Sequence, residues 1–74
     1  MRKTGIQIAF GEAVKKARDR KGWTQEKLAE RAELHPTYLS DVERGTRNIS
    51  LENIVALAHA LGMRVYELFK LTTL

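Results

Sequence analysis

Between positions 35 and 44 the segment HPTYLSDVER sets Ser40, Asp41 and Arg44 three, four and seven residues after Thr37. On a helix those side chains fall on one side, with His35 just ahead of them. Two hydroxyls, a carboxylate and a guanidinium in a row can give and take hydrogen bonds. They cannot readily break a bond, because no nucleophile stands beside a base. The two histidines, His35 and His59, fall on different predicted helices, and there is no cysteine. This chemistry suits recognition; no catalytic residue, metal, cofactor or small-molecule ligand is expected.

Such a row needs rigid support, and the surrounding chain reads as helix. One proline and five glycines interrupt the 74 residues, and apolar residues recur at spacings of three and four. In the first helix Phe10, Val14 and Ala17 form a stripe, Glu12 precedes Lys16 by four, and basic residues crowd the last turn before Gly22. Three later helices share a starting device, an apolar residue before the cap facing one five positions on. The pairs are Trp23 with Leu28, Leu34 with Leu39, and Ile49 with Ile54. Thr24 and Ser50 suit N-caps, and Pro36 suits a first helical position, where its missing N–H costs nothing. The expected helices are 25–32, 36–44 followed by Gly45, 51–61 followed by Gly62, and 64 to about 71. In the fourth, Leu51, Ile54, Val55, Ala58 and Leu61 form a stripe expected to face the core.

The length allows a single domain, 1–74, near the lower limit for one hydrophobic core. Without disulfides, helix packing or dimerisation must supply the stability. No apolar run approaches the roughly 20 residues of a membrane span, and the N-terminal apolar stretch is too short for a signal peptide. A soluble, cytoplasmic protein without a membrane partner is expected. The net charge of +4 suits a polyanion but is unevenly spread. Residues 1–24 carry seven basic and two acidic groups, residues 25–44 three and five, and residues 45–74 three and two. The recognition row therefore lies in the most acidic third, flanked by basic segments.

Two short helices joined by residues 33–35 match a helix-turn-helix, over about 24–44, whose second helix lies in the major groove of DNA. The small Ala29 lets the two helices cross closely, with Leu28, Ala32, Leu39 and Val42 buried between them. Through "VKKARDRKGWTQEKLAERA", "YLSDVERGTRN" and "SLENIVALAHALG" the chain resembles the phage Cro and C1-repressor family of regulators, over about 10–69. Within it, "TYLSDVERGTRNIS" looks most like the small controller proteins of restriction–modification systems, which are dimeric and regulate their own operon. The resemblance implies an all-α, five-helix, lambda-repressor-like domain that acts as a homodimeric transcriptional regulator on a palindromic operator. Two departures matter. Glu33 stands where the family usually has glycine, and Pro36 where controllers often have arginine.

With double-stranded DNA as partner, Thr37 and Ser40 suit base edges or phosphate oxygens, the alternative being plain polar exposed residues. Asp41 could accept from cytosine N4, repel wrong partners, or merely be solvated. Arg44 faces the same side. His35 could donate to phosphate or be a plain surface histidine. Tyr38 could offer its hydroxyl to phosphate or only pack its ring. The family pattern adds Gln25 as a DNA-backbone contact and Arg47 and Asn48 as a backbone-contacting loop. It also implies a partly buried Arg18–Glu43 ion pair. Glu26, Glu30 and Glu33 are expected in solvent, and Lys15, Lys16, Arg20 and Lys21 as a diffuse basic patch. The segment 63–74 is the expected dimerisation region, through Val65, Leu68, Phe69, Leu71 and Leu74. Two alternatives stay open: an antitoxin that binds a toxin as well as its promoter, and a protein-interaction module using "YELFKL" without DNA.

Overall fold

The computed structural model describes residues 4–72, and these form five helices with no strand among them. Each start has a local chemical cause. Helix α1 (Gly5–Arg20) opens with a reciprocal box in which Thr4 Oγ1 accepts from the Gln7 N–H, and Gln7 Oε1 from the Thr4 N–H, both at 3.2 Å. The hydroxyl of Thr24 accepts from the Lys27 N–H at 3.1 Å to begin α2 (Gln25–Ala32). Helix α3 (Pro36–Arg44) begins at the expected proline, capped by His35, whose Nδ1 accepts from the Thr37 N–H at 3.1 Å. Ser50 caps α4 (Leu51–Ala60) through the Asn53 N–H at 3.1 Å. In α5 (Val65–Lys70) the Arg64 N–H donates to Glu67 Oε1 at 2.8 Å. Helices α4 and α5 are slightly shorter than expected because Leu61, Arg64 and Leu71 serve as caps.

Helix α1 lies across α3 and α5, α2 packs on α3 and α4, and α4 meets α5. Phe10, Val14, Leu28, Leu39, Leu57 and Leu68 fill the space between them. The rings of Phe10 and Phe69 are 5.3 Å apart, which joins α1 to the end of the chain. Gly11 sets how closely α1 approaches α3: a Cβ there would stand 2.7 Å from the Glu43 carbonyl oxygen, and nearer still to that of Val42. Any side chain at this position would push the two helices apart.

The turn between α2 and α3 is held by Glu33 in a left-handed conformation, φ 59° and ψ 41°. A residue with a Cβ costs about 1–2 kcal/mol there. Backbone hydrogen bonds from Glu33 N–H to Glu30 O and from Leu34 N–H to Ala29 O, 3.2 and 2.9 Å, hold the turn closed. Trp23, Leu34 and Ile49, the residues ahead of the three caps, all pack on the core.

Two expectations about burial need correction. Leu51 is 81% exposed and Val55 49%, so the apolar stripe of α4 is wider than the neighbouring helices cover. Conversely, Leu68 is 0% exposed and belongs to the protomer's own core, because α5 folds back between α1 and α4. It leaves the set of residues available to a partner. No helix among the described residues is long and apolar enough to cross a membrane.

Candidate nucleic-acid interface

Helix α3 has two unlike faces. Leu39, Val42 and Glu43 point into the protein and are buried. Pro36, Thr37 and Arg44 are exposed, with the cap His35; Tyr38, Ser40 and Asp41 are half-buried at the margin. The face that the sequence singled out is thus the outward one.

The inward face is anchored by charge. Arg18 Nε donates to Glu43 Oε2 at 2.8 Å and Nη2 to Oε1 at 3.0 Å, a forked pair between α1 and α3. The third Arg18 bond, from Nη1, goes to the Trp23 carbonyl at 2.8 Å. Hydrogen bonding to Glu43 raises the Arg18 guanidinium above its ordinary pKa, against the opposing effect of burial. The expected ion pair is present, and Gln25, the first residue of α2, joins it. Its Nε2 donates to Glu43 Oε1 at 2.9 Å. This fixes the Gln25 side chain at the α2 N-terminus, with its second Nε2 proton and Oε1 left to hydrogen-bond and the free amides of the first turn beside it.

The outward face carries a second network around Asp41. Its Oδ1 accepts from Arg44 Nη2, one turn on, and its Oδ2 from Arg47 Nη2 at 3.1 Å. Arg44 Nη1 also donates to Ser40 Oγ at 2.8 Å. The Arg47 guanidinium lies 4.9 Å over the Tyr38 ring. The Tyr38 hydroxyl accepts from Asn53 Nδ2 at 3.0 Å, so its own proton is left to donate outward. Asn53 was not anticipated as a support for this face. The only local hint was its place in the first turn of the helix that follows α3. Gly45, at φ 77°, makes the reversal that brings Arg47 back to Asp41. Thr46 closes it with hydrogen bonds from its N–H and its hydroxyl to the Asp41 carbonyl, 3.0 and 3.1 Å.

His35 accepts at Nδ1, which places its ring proton on Nε2. Asn48 is exposed beside Arg47, and Glu26, Glu30 and Glu33 are exposed along α2, away from the core. Lys21 and Arg31 lie 5.1 and 5.5 Å over the Trp23 ring, so part of the basic surface is held by the indole. Of the residues expected to pair two protomers, Val65, Phe69 and Leu71 are half-buried on the core, and Leu74 lies outside the described residues. Among the described residues the large apolar side chains left exposed are Tyr66, at 59%, the α4 pair Leu51 and Val55, and Ile6 and Ile8 of α1.

A short helix set on another at a fixed turn, with its polar start exposed and its far side locked into the core, defines a DNA-binding helix-turn-helix protein. Comparison with known proteins agrees: a family described as "Helix-turn-helix" matches residues 14–68. Control protein C.BamHI of Bacillus amyloliquefaciens is 46% identical over 70 residues, which span 93% of this chain and 86% of that protein. Control protein C.MunI of Mycoplasma sp is 42% identical over 65 residues, 86% of this chain and 88% of that one. The crystal structure of the restriction-modification controller protein C.AhdI from Aeromonas hydrophila matches with a TM-score of 0.87 and 42% identity, over 89% of this chain and 100% of that one. The chain belongs to the helix-turn-helix family of transcriptional regulators and is homologous to restriction–modification control proteins.

Proposed function

We propose that this chain is a restriction–modification controller, a cytoplasmic homodimer that regulates transcription by occupying a palindromic operator and performs no chemistry of its own. The observation that carries this reading is the split of α3, whose start is exposed and polar while Leu39, Val42 and Glu43 hold it rigidly from behind. The similarity to control proteins over most of their length supports the choice of system. In the complex, Thr37 and Ser40 reach base edges from the major groove. His35, the Tyr38 hydroxyl, Arg44, Arg47 and Asn48 face phosphates or the groove edge, and the second Nε2 proton of Gln25 donates to the DNA backbone beside the free α2 amides. Pro36 offers no side-chain donor, so specificity falls to its neighbours.

Leu51 and Val55 lie one turn apart on α4, and with Tyr66 they give the exposed apolar surface for a two-fold partner. Such a dimer sets two α3 helices about 34–36 Å apart, one turn of duplex or a multiple of it. Selection from a pool of random duplexes, followed by footprinting, tests the whole reading. It should return a palindrome with that half-site spacing, bound less tightly as salt rises. If no sequence is enriched, the proposal fails; enrichment of a single half-site keeps DNA binding and removes the dimer.

A further inference from the structure

The DNA-facing side of α3 is tied to itself. Both oxygens of Asp41 are occupied, one by Arg44 and the other by Arg47, and the same two guanidiniums engage Ser40 and the Tyr38 ring. Four of the side chains expected at DNA thus meet around one carboxylate. That carboxylate is 21% exposed, whereas the arginines are 61% and 43% exposed. The arginines remain open to water and ions, but the acid is largely covered by them.

This arrangement sets up a competition. A phosphate approaching Arg44 or Arg47 must replace Asp41 as their partner, and the carboxylate so uncovered then faces a polyanion. Exposed ion pairs are individually weak, so DNA can open the cluster. The cost recurs on every duplex, because every duplex presents phosphates. It is offset only where the groove offers the uncovered carboxylate a donor, such as the exocyclic amine of cytosine. We propose that Asp41 is a specificity-determining residue that acts mainly by restraint: it holds Arg44 and Arg47 in the free protein and so weakens binding to DNA of arbitrary sequence. The inference rests on the proposed DNA-binding role and adds to it a function for the one acid on the outward face of α3.

The test measures affinity for a random-sequence duplex and for the selected operator over a salt series, with wild type, Asp41→Asn and Asp41→Glu. For Asp41→Asn, affinity for random duplex should rise about 2- to 10-fold, and the salt slope should steepen by up to about one unit per protomer. Affinity for the operator should rise less, so the ratio of specific to non-specific binding falls. Asp41→Glu keeps the charge within reach of both arginines and should restore weak non-specific binding. The decisive control repeats Asp41→Asn in an Arg44→Gln/Arg47→Gln background, where its effect on random duplex should largely vanish. A full effect there would show plain repulsion between Asp41 and phosphate and would overturn the clamp. Loss of operator affinity with unchanged random-duplex binding would make Asp41 a simple base reader and would also overturn it. No change in either affinity would show the ion pairs to be inert. If none of these proteins binds any duplex, the proposed function fails and the clamp with it; binding with an unchanged ratio refutes the clamp alone.

Discussion

Asp41 and Glu43 stand two residues apart on α3, and each carboxylate accepts hydrogen bonds from two side chains. Two residues turn the helix by about 200°, so one acid faces out and the other in. The Glu43 side chain is 3% exposed and joins α1, α2 and α3 through Arg18 and Gln25. Asp41 joins only α3 to the loop that follows it, among partners open to water. Both clusters look alike as lists of bonds. They differ in what breaking them leaves behind: a stranded charge in a dry interior for Glu43, and a solvated arginine for Asp41. Pairing alone therefore does not say whether an acid holds the fold or tunes its surface; burial decides.

Substitutions can break this contrast. The largest effect is expected from Glu43→Gln, which removes the buried counter-charge of Arg18, leaves it only the exposed Asp19 carboxylate 3.5 Å from Nη1, and should cost about 3 kcal/mol in urea unfolding. For a chain of this size that is a large share of a total stability of roughly 4–11 kcal/mol. Gly11→Ala acts on the same anchor by forcing α1 off the Val42 and Glu43 carbonyls, and should cost about 1–3 kcal/mol. Glu33→Gly tests the third acid of the region and should stabilise by about 0.5–1 kcal/mol, as relief of the left-handed strain exceeds the added chain entropy. Asp41→Asn should change stability least, by under about 1 kcal/mol, while altering DNA binding. Equal stability losses for Glu43→Gln and Asp41→Asn would erase the distinction.

The ends of α2 and α3 were legible in the sequence because their causes are local: Thr24 as a cap, Pro36 as a first residue, and Gly45 as a left-handed stop. The Arg18–Glu43 pair was legible only through the family pattern, since 25 residues separate the partners. What escaped depends on which neighbours cover a surface. The α4 stripe has helical spacing throughout, yet Leu51 lies beyond the reach of the helices that cover Leu57 and Ala58. Leu68 and Tyr66 are equally apolar by composition, and only the packing of α5 on α1 and α4 sends one inward and the other outward. The Asp41 cluster left half a signal, an arginine three residues on. Its other half, Arg47, comes within range only because the chain reverses at Gly45.

In the proposed function the outward face of α3 reads DNA while its inward face holds the fold. The most direct test is a paired measurement of operator affinity and urea midpoint for Thr37→Ala/Ser40→Ala. Operator affinity should fall by about 5- to 100-fold, with relaxed base preference under α3 and an unchanged midpoint. Unchanged affinity and base preference in a normally folded double variant would contradict the proposed function.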